Sequence, residues 1–210
     1  MADHDAFIDA LSATARPVKR VGPSSVRAAG WIALALPCGA LVALFLSRAL
    51  TDWSQPGWLW AGLELCLSLG LGALSVFTAF DTAIAGRKSV GWPVFALVAT
   101  AWLASGLMTV AHGGDPIGRL GGGTWCYSFM VLVSLPMIPL LVVGLRRTRT
   151  LYPLRSLALG GMGVACMTMT LLSLCHPVEG DLVDFVMHML AGVTIVGVTV
   201  VLGRRFVGVS

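Results

Sequence analysis

The sequence predicts an all-α polytopic membrane protein with six transmembrane helices behind a short cytoplasmic amphipathic helix. Three observations carry that expectation. Hydrophobic residues make up 57% of the chain and charged residues only 11%, with a mean hydropathy of +0.87, which excludes an ordinary soluble domain. The apolar residues are gathered into six runs of about 20 residues, each long enough at about 1.5 Å per residue to cross a ~30 Å hydrocarbon core. The basic residues fall between the runs in an alternating pattern. A net charge of +4 would suggest nucleic acid as a partner in a soluble chain. Here the basic residues flank apolar runs, so they read as topology signals, and the lipid bilayer rather than nucleic acid is the expected partner.

Residues 1–28 read as a separate unit. Asp3-His4-Asp5 places acids against the positive end of a helix dipole, and Phe7, Ile8 and Leu11 form an apolar stripe at helical spacing. The helix is expected to end near Thr14, because Arg16-Pro17 breaks it and leads into a basic linker up to Pro23. A helix this short is marginal alone in water, so its stripe needs a partner or a membrane surface. Asp3, Asp5 and Asp9 would repel anionic headgroups, which speaks against an interfacial anchor. The first 20 residues have no apolar core of the signal-peptide kind, so the N-terminus is expected to stay in the cytoplasm.

Residues 29–210 hold the runs: Ala29 to Leu50, Trp58 to Ala85, Trp92 to Val110, Thr124 to Leu145, Leu154 to Leu174 and Asp184 to Leu202. With odd and even loops on opposite sides, 12 of the 14 basic residues share one side and only Arg48 and Arg119 oppose them. The positive-inside rule then puts both termini in the cytoplasm. The opposite loops are acidic and aromatic, and Trp53, Trp58, Trp60 and Trp125 are expected at that interface.

The fourth and fifth runs, joined by Arg146-Arg147-Thr148-Arg149, form an antiparallel hairpin. It brings Cys126, in the first turn of one run, and Cys175, at the last turn of the next, to the same outer and oxidising face. Cys126 should be the more reactive, since a helix N-terminus favours a thiolate and the C-terminal end of a helix does not. Cys38, Cys66 and Cys166 sit inside apolar runs and read as small fillers, and no C-x-x-C spacing occurs. His112, His176 and His188 also fall near the outer face. Thiolate plus imidazole would suit a thiophilic or borderline metal, with Cys126 and Cys175 as candidate ligands, and a disulfide between the two is equally consistent. Glu64 and Asp81 share the second run but lie about 25 Å apart along a helix, too far to act as a carboxylate pair. Each is expected to pair structurally, Glu64 with Arg48 and Asp81 with Arg87 or Lys88.

Taken together, Phe7-Ile8-Asp9-Ala10-Leu11 followed by Arg16-Pro17-Val18, the Trp125-Cys126 helix start, Leu145-Arg146-Arg147, the small-residue run ending in Cys175, and the final run with His188 and Gly203-Arg204-Arg205 resemble the NrsF-like family of membrane-bound anti-sigma factors. The resemblance covers nearly the whole chain. It implies a six-helix bacterial inner-membrane protein with no catalytic activity and no cofactor. Its N-terminal segment, through Phe7, Ile8, Leu11, Arg16 and Pro17, would hold an extracytoplasmic-function sigma factor. Cys126 and Cys175 would sense oxidant or heavy-metal stress and release it. Two other classes remain open at this level: a membrane thiol oxidoreductase, for which a second reactive cysteine pair is missing, and a small-solute or metal transporter with Glu64 and Asp81 on its path.

Overall fold

The structure, a computed structural model, describes residues 2–14, 22–46, 50–84, 86, 87, 90–112, 120–148, 150, 152–178 and 180–207. Among these residues the chain forms seven helices and no strand: α1 (Ala2–Thr14), α2 (Ser24–Phe45), α3 (Trp58–Thr82), α4 (Trp92–His112), α5 (Leu120–Arg146), α6 (Pro153–Ser173) and α7 (Leu182–Val207). Six of them, α2 to α7, are long and apolar enough to cross a membrane, as in a multi-pass membrane protein.

Helix α1 runs to Thr14, beyond which residues 15–21 lie outside the described residues. The hydroxyl of Thr14 donates back to the carbonyls of Ala10 and Leu11, and that of Ser12 to Asp9. Its stripe stays open, with Phe7 63%, Ile8 59% and Leu11 54% exposed. Arg16 and Pro17 lie outside the described residues. The first span begins at Ser24, directly after Pro23, several residues before Ala29, because proline fixes a helix-compatible start but cannot continue a helix from its own N–H.

The bundle is organised around α6, which packs against α3, α5 and α7 and buries 72% of its most apolar window. The cause is a run of glycines that turn different faces to different neighbours. A Cβ on Gly160 would meet Leu141 of α5, one on Gly161 would lie 3.0 Å from the Val196 Cα of α7, and one on Gly163 would collide with Val76 of α3. In lipid, where no hydrophobic drive pushes helices together, such close approach supplies the dispersion contacts that hold the bundle. Gly163→Leu is therefore expected to cost about 3 kcal/mol or more. The Gly72 carbonyl 3.2 Å away and the Val76 amide 3.3 Å away are backbone and cannot yield. Thermal unfolding of the detergent-purified protein, followed by loss of helical circular dichroism, measures it.

At the end of the bundle that carries the basic residues, the start of α2 is clasped by its neighbours. Ser24 Oγ donates to Asp81 Oδ1 at 2.6 Å, and Arg87 Nε pairs with the same oxygen at 2.7 Å. The expected pairing of Asp81 with Arg87 is thus present. Lys88 is outside the described residues. Arg27 Nη2 donates to the Gly144 carbonyl near the end of α5 at 2.6 Å, with the guanidinium 5.0 Å from the Phe80 ring centre.

Candidate functional site

At the opposite end of the bundle, α5, α6 and α7 bring three ligand-type side chains together. Cys126 comes from the N-terminal part of α5, His176 from just beyond α6, and His188 from the second turn of α7. Their donor atoms all lie within 4.8 Å of one another. The hairpin expected from the basic turn makes this convergence, since α5 and α6 run antiparallel and α7 returns from the same end.

Each position has a local reason. Leu172 accepts a hydrogen bond from the Cys175 amide at 2.8 Å, closing the last turn of α6. Thr51, from the loop between α2 and α3, staples the segment just beyond that turn: its amide donates to the Leu174 carbonyl, and its hydroxyl lies within hydrogen-bonding distance of the Ser173 and His176 carbonyls. Asp181 caps α7 by accepting from the Asp184 amide at 2.8 Å, a side-chain cap of the kind helix N-termini favour. Asp184 and His188, four residues apart, therefore share one face of α7 and point at His176.

The ring of His176 is held from both sides. Nδ1 donates to the Pro177 carbonyl at 2.9 Å, and Nε2 faces Asp184 Oδ2 at 3.4 Å. A carbonyl and a carboxylate both accept, so this geometry suits the doubly protonated ring. Burial alone would depress the imidazole. The Asp184 carboxylate, the Cys126 sulphur and the Pro177 carbonyl outweigh burial and hold it up at about 10. The His176 and His188 rings meet edge to face with centres 5.5 Å apart. Two polar atoms here are buried with no hydrogen-bond partner among the described residues: His188 Nε2 and Asp184 Oδ1. Beside them lies a cavity of about 60 Å³, lined by Glu64, Thr51, His176, Asp184 and His188. It has room for an ion or a few waters and not for an organic substrate of ordinary size.

Cys126 and Cys175 fall at the same end of the bundle, as expected from the hairpin, but their settings differ. Cys126 is 2% exposed and lies in the second turn of α5, because that helix starts at Leu120 rather than at Thr124. The helix-dipole benefit fades beyond the first turn. The polar surroundings of Cys126 come instead from His176 and Asp184. Cys175 is half-buried. The side chain of His112 lies outside the described residues, as does Arg48, the expected partner of Glu64. Cys38 and Cys166 are partly buried and Cys66 is exposed, none of them at this site.

Sequence reasoning missed Asp184, which it used only as the start of a run, and the link between Glu64 and His176. The first had a readable signal: Asp184 and His188 at helical i, i+4 spacing beside the polar segment Cys175-His176. The second had none, because Glu64 reaches the cavity only through the packing of α3 on α6. Asp81 stands at the far end of α3, engaged by Ser24 and Arg87. No family model, curated protein or solved structure matches this chain.

Proposed function

We propose that this chain is a membrane-bound anti-sigma factor: α1 holds an extracytoplasmic-function sigma factor at the inner membrane of a bacterium, and stress sensed at the outer face through Cys126 and Cys175 releases it. The observation that carries the reading is α1 itself, a short helix offering Phe7, Ile8 and Leu11 with more than half of each exposed. An apolar stripe on a short acidic helix is a helix-in-groove ligand for a protein partner. The resemblance to the NrsF-like family names the kind of partner.

The bundle supplies a route between the two faces. Helix α5 reaches from one to the other, with Cys126 near one terminus and the Gly144 carbonyl, bound by Arg27, near the other. These are about 27 Å apart along a helix. Midway, Pro136 and Pro139 interrupt α5 and leave the Leu132 and Leu135 carbonyls without their helical donors, while the Ser134 hydroxyl bonds back to the Val131 carbonyl at 2.7 Å. Such a point bends readily. A change in the α5 bend driven at Cys126 alters the hold on Arg27, and α2 continues directly into the linker that carries α1. In this reading the α5 bend is the element whose two arrangements carry the coupling.

The test is co-purification. Tagged full-length protein extracted in mild detergent is expected to bring down one sigma factor in near-stoichiometric amount, identified by mass spectrometry, and to lose it when cells are first exposed to the inducing stress. Absence of any sigma factor from the unstressed extract would overturn the reading.

A further inference from the structure

We infer that Cys126, His176, His188 and Asp184 form a binding site for a single borderline divalent cation of the zinc type, with Cys175 outside the coordination sphere. The donor set is one sulphur, two imidazole nitrogens and one carboxylate oxygen. That combination selects zinc and its softer congeners and disfavours calcium and magnesium, which take all-oxygen shells. In the regulator proposed above this ion would be the ligand read at the outer face, a step that rests on that reading; the binding itself rests on the geometry alone.

Four observations converge. The Cys126, His176 and His188 donor atoms lie within 4.8 Å of one another. Bonds of about 2.0 to 2.3 Å in a tetrahedron separate ligand atoms by about 3.3 to 3.8 Å, so side-chain movements of roughly an ångström close the site. His188 is 8% exposed, and its Nε2 is buried with no hydrogen-bond partner among the described residues, an unmet demand that a metal bond would satisfy. Asp184 stands outside that trio, with Oδ1 in the same condition and Oδ2 3.4 Å from His176 Nε2, and its carboxylate would have to turn toward the ion to serve as the fourth ligand. The Nδ1 of His176 donates to the Pro177 carbonyl at 2.9 Å, the outer hydrogen bond that orients a metal-binding imidazole, and the ion would displace the proton that Nε2 directs at Asp184. Thr51 fixes the same segment through the His176 carbonyl at 2.8 Å. The cavity beside the cluster, about 60 Å³, admits an ion together with water, and the His176 and Asp184 side chains, 12% and 14% exposed, mark its approach from solvent.

The experiment titrates the purified, chelator-treated full-length protein in detergent with cobalt(II), then displaces it with zinc(II). One equivalent of cobalt is expected to give a near-ultraviolet sulphur-to-cobalt charge-transfer band and intense visible bands of a four-coordinate ion, both erased by one equivalent of zinc. Cys126→Ser is expected to remove the charge-transfer band, and His188→Gln to weaken cobalt binding at least tenfold, while Cys175→Ser leaves both spectrum and affinity unchanged. Lack of a charge-transfer band in the wild-type protein would overturn the proposal, as would a band that survives Cys126→Ser or disappears with Cys175→Ser. Should Cys126→Ser not fold, the wild-type and Cys175→Ser spectra still decide. Sigma-factor co-purification is read separately, so a negative metal result leaves the anti-sigma reading standing, and the reverse.

Discussion

Replacing Phe7 and Leu11 together by glutamate is expected to release the sigma factor completely while leaving the membrane bundle intact. Both side chains are exposed, Phe7 at 63% and Leu11 at 54%, so on the free protein the two charges stay in water and cost little. Docked into an apolar groove, each unpaired carboxylate would be desolvated at a cost of several kcal/mol. Two of them exceed the roughly 8 kcal/mol that separates a micromolar complex from no complex. The measurement is co-purification from detergent extract, with helical circular dichroism and thermal unfolding of the variant as the control on the bundle. A glutamate pair that still retains the sigma factor would show that the stripe is not the docking face. Phe7→Leu, which keeps the apolar character and most of the volume, is expected to retain binding within about tenfold, the scale of a volume-conserving apolar change.

The second large effect is expected at the other face. Cys126→Ser should reduce stress-induced sigma activity to its uninduced level with sequestration unimpaired, because serine keeps the size and loses the soft sulphur that an oxidant or thiophilic metal attacks. A transcriptional reporter across a range of inducer concentrations reads this, and a response of unchanged dose dependence in Cys126→Ser would sink the proposal that this thiol senses. If Cys126 and Cys175 act as one unit, Cys175→Ser should be equally silent and the double variant no worse than either single one, as for residues that work together. The two thiols occupy different surroundings, Cys126 buried among His176, Asp184 and His188 and Cys175 half-buried beyond the end of α6. A response lost in Cys126→Ser and kept in Cys175→Ser would assign sensing to the cysteine-histidine cluster alone.

The elements were legible in the sequence, because each arises from local chemistry. Six apolar runs of membrane-spanning length can satisfy their backbone in lipid only as helices, and α3 begins at Trp58 and α6 one residue before the expected Leu154. The short basic turn after α5 sufficed to predict a hairpin, and with it that Cys126 and Cys175 share one end of the bundle. The Asp81–Arg87 pair was legible too, since its members lie only six positions apart in the chain.

What only the tertiary structure decided is which side chains those helices turn toward one another. Rotation of a helix about its axis depends on packing against neighbours distant in sequence, here on Gly160, Gly161 and Gly163 seating α5, α7 and α3 at three different azimuths. That seating turns Cys126 inward against His176 and His188, joins Asp184 to them, and brings Glu64 to the edge of the same cavity. An apolar run reads the same from every side, so no count of its residues gives the rotation. The close contacts at the glycines fix it, and with it the chemistry of the site.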